Sequence, residues 1–407
     1  MRLNSRDSVD TAMNHDACAA AEPEAAFALG RLDSMLSQSL PATRRIFAGM
    51  AVRAALVSAL TQEGYAFTDQ RFDAWFAGLV PLVDASERRP GGAPTMPGRL
   101  LADAILTELG HSSWRPLADA AHALRPALLA SRDFADGYPH GEALVCISEA
   151  RALVDALGTE TTPLPFKSLR RLHAAIAEST RFAPAERAPE TITMGTIAMG
   201  TIQFAVERRP PPSPRWAIEL VVGEHLHATG LLAAALPLPG LVRLDALGDA
   251  SGNRDEPGTA RIIRARALTD VAVELVIRLQ RANESATRIG ERLAGLRRSS
   301  RAPALAELLT GFGAMRSRQI EAALGVTRLG VRGMLATLEE ADLVSRTSVS
   351  GVWLTSSVRS DPTPPLRVDP VESSAFSDEA LADYDAANAN IDHLLARMGV
   401  DPDRHED

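Results

Sequence analysis

The chain has 407 residues, 46% hydrophobic and only 4% aromatic, so it is long enough for two or three domains and favours helix over sheet. Its net charge of -8 excludes a protein that coats nucleic acid over its whole surface, while leaving room for a local basic face. Two cysteines, Cys18 and Cys146, exclude a disulfide framework and a cysteine zinc site.

Residues 1–18 lack the apolar core of a signal peptide, and no apolar run reaches the ~20 residues of a membrane span. The sequence therefore predicts a cytoplasmic protein without membrane contact.

Residues 1–23 are polar and Ala-rich and are expected to be disordered. Residues 24–180 read as a helical domain. Phe27, Leu29, Leu32 and Leu36 mark a helix over 24–38, and Ile46, Val52, Leu56 and Leu60 mark one over 43–62. Thr68 or Asp69 caps the next, which carries Phe72, Trp75, Phe76 and Leu79. The Pro- and Gly-rich stretch 87–97 is a loop, and helices follow near 98–109, 113–130, 141–158 and 166–179.

Residues 181–260 break this pattern and read as a mixed, β-containing linker segment. Residues 191–204 (TITMGTIAMGTIQF) repeat a five-residue unit, which fits either a short β-rich excursion or a duplication within a loop. A stiff linker at 208–214, a strand at 216–222 and a polar loop at 240–258 follow.

The segment 261–300 is a long connecting helix. Within it Leu268, Leu275, Ala282, Ile289 and Leu296 recur every seven residues beside Ala272, Leu279, Ala286 and Leu293. Two uses fit this seam, packing within the same chain or pairing with a second copy.

Residues 301–358 carry the functional signal. A first helix over 302–312 presents Leu305, Leu308, Leu309 and Phe312. Ser317 caps a second helix over 318–324, Gly325 ends it, and Thr327 caps a third that runs to about 340. Ile320, Leu324, Val326, Val331, Met334, Leu335 and Leu338 fill the core between them. A β-hairpin follows, with strands at 343–347 and 352–355 around Ser348, Val349, Ser350 and Gly351.

Three helices followed by a hairpin make a winged helix-turn-helix, whose third helix enters the DNA major groove by its N-terminal end. There stand Thr327, Arg328, Leu329 and Arg332. Arg328 and Arg332 suit base edges or phosphates, Arg316 and Arg318 suit phosphates, and Arg346 and Ser348 reach phosphates from the wing. Between Arg261 and Arg332 fourteen Arg face six acids, reversing the charge of the whole chain. Two features depart from the usual motif: Glu321 stands where Ala is common, and Gly330 and Gly333 lie inside the third helix. Those glycines fit either a close approach to DNA or a helix that firms up on binding.

Residues 317–344 (SRQIEAALGVTRLGVRGMLATLEEADLV) resemble the C-terminal DNA-binding domains of bacterial winged-helix regulators. The whole chain resembles a rhizobial and wider α-proteobacterial group with an N-terminal helical domain of unknown function and a C-terminal helix-turn-helix. The phrase Ala28-Leu29-Gly30-Arg31-Leu32-Asp33 fits that group and also resembles the first helix of Fic proteins. The His-Pro-Phe segment and Gly-Asn-Gly-Arg anion loop that a Fic enzyme needs are missing from the sequence.

A Pro-rich linker occupies 359–376. Residues 377–407 form a last helix and tail, with Leu381, Tyr384, Ile391, Leu395 and Met398 on one stripe beside Asn388. The sequence assigns no cofactor. Glu224, His225 and His227 could offer metal ligands, since alternate residues on a strand share a face, but no second carboxylate or His cluster accompanies them. Cys146 lies in an apolar run and reads as core.

The expected architecture is mainly α, ending in a winged helix-turn-helix, and the expected partner is double-stranded DNA, bound by a homodimer. The alternatives are a scaffold whose winged helix binds protein and a degenerate Fic-like enzyme.

Overall fold

The computed structural model describes residues 5–82, 96–130, 141–158, 166–183, 189–197, 200–207, 214–244, 246–247, 257–297 and 300–358. Among them lie twelve α-helices and two antiparallel hairpins, so the expected mainly helical character holds. The helices before the first hairpin are α1 (Ser5–Gln38), α2 (Pro41–Gln62), α3 (Asp69–Phe76), α4 (Gly98–Leu109), α5 (Arg115–Leu124), α6 (Glu142–Asp155) and α7 (Phe166–Glu178). Strands β1 (Pro189–Ile197) and β2 (Gly200–Glu207) come next, then α8 (Trp216–Ala228) and α9 (Pro257–Arg292). The C-terminal part holds α10 (Ala302–Phe312), α11 (Ser317–Leu324), α12 (Arg328–Glu340), β3 (Val344–Val349) and β4 (Val352–Ser357).

Helix α2 is the hub. Pro at its start presets the first turn. Its Ile46, Phe47, Val52, Leu56 and Leu60 are fully buried among α4, α5, α8, α9 and α10. A helix that is apolar on most of its circumference has to lie inside. Thr68 caps α3 as expected, its Oγ1 accepting from the Arg71 N–H at 3.3 Å. That cap aims Phe72, Trp75 and Phe76 into the core.

Several expectations need correction. Residues 5–23 are helical rather than disordered, because α1 runs unbroken from Ser5 through Pro23. Ala is the strongest helix former, and Ala21 and Ala25 are buried on the side of α1 that packs along α9. Residues 216–222 form the start of α8, not a strand. The run from Trp216 to Val222 is buried at every position, so periodicity carried no information about its type.

Glu219 in that run stays polar for a reason. Its carboxylate accepts from Gln62 Nε2 at 2.7 Å and from the Val242 N–H at 3.1 Å, which ties down the segment beyond α8. Burial pushes this carboxyl above the ordinary glutamate range.

The heptad seam of α9 is spent inside the chain. Leu268, Leu275, Leu279, Ala282 and Ile289 are buried where α9 meets α1, α2, α7 and α10. The helix also starts earlier and stops sooner than 261–300, at Pro257 and Arg292. The five-residue repeat forms the β1–β2 hairpin, with Thr191 opposite Ala205 and a register irregularity between Thr193 and Thr196.

The twelve helices and strand β3 share one hydrophobic core. The expected loop residues 87–95, the linkers at 208–213 and 359–376, and the last helix at 378–398 lie outside the described residues. No helix among the described residues is long and apolar enough to cross a membrane.

Candidate nucleic-acid interface

The expected interface begins with a turn that the sequence dictates. Gly325 ends α11 at φ 61°, a left-handed conformation that a side chain would oppose. Two residues later Thr327 caps α12, its Oγ1 accepting from the Gly330 N–H at 3.3 Å. Val331, Met334, Leu335 and Leu338 then face inward and are buried with Ile320. The opposite side of the first turns leaves Thr327, Arg328, Leu329 and Arg332 exposed together. Helix α12 is continuous through Gly330 and Gly333.

The start of α11 differs from expectation by one residue. Its N-cap is Arg316, not Ser317, and the cap bond comes from Gln319, whose Oε1 accepts from the Arg316 N–H at 3.0 Å. Gln319 is wholly buried and also donates from Nε2 to the Phe76 carbonyl at 3.2 Å and the Ala127 carbonyl at 2.9 Å. Arg318 is exposed, whereas Arg316 is partly buried with its Nε shielded and unpartnered. Burial, helped by the neighbouring Arg318 charge, makes Arg316 harder to protonate than an ordinary arginine.

The hairpin closes more tightly than the four-residue turn of the sequence reading. Val349 pairs with Val352, leaving Ser350 and Gly351 at φ 50° and 76°. Positive φ at both central residues matches the natural twist of two strands joined by a two-residue turn. Met315, just before α11, exchanges backbone hydrogen bonds with Thr355 at 2.9 and 2.8 Å and so anchors β4 to the helices. Ser348 is exposed. Arg346 is not free, because its guanidinium pairs with Glu339 near the end of α12.

Several arginines of the helical body are held in ion pairs. Arg45, Arg53, Arg125, Arg151, Arg181 and Arg278 all pair with carboxylates. Arg318, Arg328 and Arg332 have no carboxylate partner among the described residues. They stand near the N-terminal ends of α11 and α12, where unpaired N–H groups already favour an anion.

One exposed side chain escaped the sequence reading. Trp353 on β4 is 59% exposed, opposite Ser348 on β3. Its neighbours Leu354 and Thr355 are both buried, so no strict alternation along β4 marked it in the sequence.

The minor constellations resolve as structure. Glu224, His225 and His227 lie on helix α8, where residues two apart point to different sides. Glu224 accepts from Ser113 Oγ at 2.7 Å, and His227 Nδ1 lies 2.9 Å from the Leu232 carbonyl. No group of three metal-binding side chains occurs among the described residues. Cys146 is buried beside Arg181, and burial pushes its thiol up to about 11. That is the opposite of an activated nucleophile.

No family model matches this chain, and no curated protein matches it in sequence.

Proposed function

We propose that residues 301–358 are a winged helix-turn-helix that reads double-stranded DNA, making the protein a DNA-binding regulator. The observation that carries this reading is the free N-terminal end of α12. Arg328 and Arg332 are exposed there, side by side on one face, without carboxylate partners among the described residues. The element order supports it: helix, the Met315 bridge, two helices across the Gly325 turn, then a hairpin hydrogen-bonded to that bridge. A positive, protruding helix end is what the major groove accepts, with phosphates satisfied from the rim. Arg318 and Ser348 supply rim contacts. One module of this size touches few bases, so selective binding calls for two copies on paired half-sites.

Binding of the full chain to sheared genomic DNA near physiological salt tests the reading. Wild type is expected to enrich a few fragments, and Arg328→Ala/Arg332→Ala to lose that enrichment. Equal binding by both proteins, or none, would instead favour a protein-binding scaffold, for which the exposed Leu329 and Trp353 are the specific support.

A further inference from the structure

We infer that Leu329 is a specificity-determining residue that packs against the 5-methyl group of a thymine in the major groove. This rests on the DNA-reading function proposed above and names one chemical feature of the site it reads.

Leu329 is 79% exposed, more than any other large hydrophobic side chain among the described residues. It occupies the first turn of α12, directly after the Thr327 cap. The helical period aligns it with Arg332, Gly333 and Ala336, all of which are exposed. Two members of that stripe are nearly flat. A Cβ added at Gly333 would meet nothing within 4 Å. Leu329 is therefore the single apolar projection on a low helix face, with the Arg332 cation beside it and the Arg328 cation next in sequence.

That shape decides between occupants. A stable protein interface covers about 800 Å² on each partner and centres on a cluster of large side chains. One leucine among small and cationic residues offers no such cluster. A polyanion suits the two unpaired arginines, and in the major groove the thymine methyl is the apolar group that a base pair displays. The natural contacts of the neighbouring arginines are guanine O6 and N7. The site should therefore place a thymine next to a guanine.

The experiment removes one methyl group. In a duplex enriched by the full-length protein, each thymine is replaced in turn by uracil, which deletes the 5-methyl and leaves pairing intact. Affinities are measured for wild type and for Leu329→Ala, whose exposed position makes the substitution safe for folding. One uracil position is expected to weaken wild type about fourfold, the value of one buried carbon. Leu329→Ala is expected to bind both duplexes alike and to keep the salt dependence of wild type. 5-Methylcytosine paired with guanine at that position should restore part of the wild-type affinity.

If wild type selects a sequence yet ignores every uracil, or if Leu329→Ala still feels the missing methyl, the inference on Leu329 fails while DNA reading stands. If no duplex is enriched at all, and Leu329→Ala instead changes the oligomeric state in sedimentation, both readings fall and the face belongs to a protein contact.

Discussion

The inner and outer faces of residues 302–358 are built from the same residue types and use them in opposite ways. The inner face is tied into the helical body. Gly311 of α10 lies so close to α2 that an added Cβ would sit 2.7 Å from the Ile46 carbonyl. Glu307 chelates Arg45 at 2.6 and 2.9 Å, and the Phe312 carbonyl accepts from Arg53 at 2.9 Å. Phe312 packs on Phe76 with ring centroids 4.6 Å apart. On the outer face Arg328, Leu329 and Arg332 touch no acid and no core. The difference shows what the helical body does for α12. It fixes the helix's position and leaves free only the side chains of one face.

Glycine gives the sharpest way to break that comparison. Gly311→Ala inserts a methyl between two helix backbones, where neither can yield without parting the α2–α10 crossing. Overpacking of this kind costs about 1–3 kcal/mol, more where the blocking atom is backbone, and we expect about 3 kcal/mol in urea unfolding. Gly333→Ala meets open space on the outer face. It is expected to stabilise by about 1 kcal/mol through helix propensity alone. Similar effects at both positions would mean that the two faces do not differ as described.

Gln319→Leu probes the same inner face through its hydrogen bonds. The Phe76 carbonyl keeps a second donor in the Leu129 N–H at 3.0 Å, but the Ala127 carbonyl and the Arg316 N–H lose the partners that Gln319 gave them. Stranding two polar groups in the interior costs about 2 kcal/mol. The unfolding midpoint should fall, while folded protein keeps its DNA preference. Altered preference in the folded protein would show that the docking contacts also set the pose of α12.

The same contrast explains what could be read from sequence. Helices α2 and α3, and the run from α10 to β4, were legible because their signals are local: Thr68 and Thr327 as caps, Gly325 as a stop, and Gly351 in the hairpin turn. Residues 216–222 were not, since a run buried all round has no period to reveal its type. Nor was the burial of Ala21 and Ala25 on α1, since the α9 against which α1 packs lies far along the chain. The inner face was equally hidden. Gly49, Gly311 and Gln319 look unremarkable singly, and only their contacts across the chain give them a role. Of the candidate site, the cluster Thr327, Arg328, Leu329 and Arg332 followed from helical spacing. The capture of Arg346 by Glu339 did not, because it joins a helix end to a strand.

That capture makes the smallest and most selective prediction. Arg346 and Glu339 are each about two-fifths exposed, so their ion pair adds at most ~1 kcal/mol to stability. For Arg346 to reach a phosphate, it must first leave Glu339. Glu339→Gln removes the competing charge and keeps the shape, so the protein should fold as well as wild type. DNA affinity at low salt should rise about two- to threefold, and the plot of log affinity against log salt should steepen by up to about 0.9 as one more phosphate is neutralised. Sequence preference should not change, because phosphates carry no base information. Arg346→Ala should abolish the gain. If Glu339→Gln leaves both affinity and salt slope unaltered, Arg346 is a brace between α12 and β3 and belongs with the inner face, although it lies on the outer one.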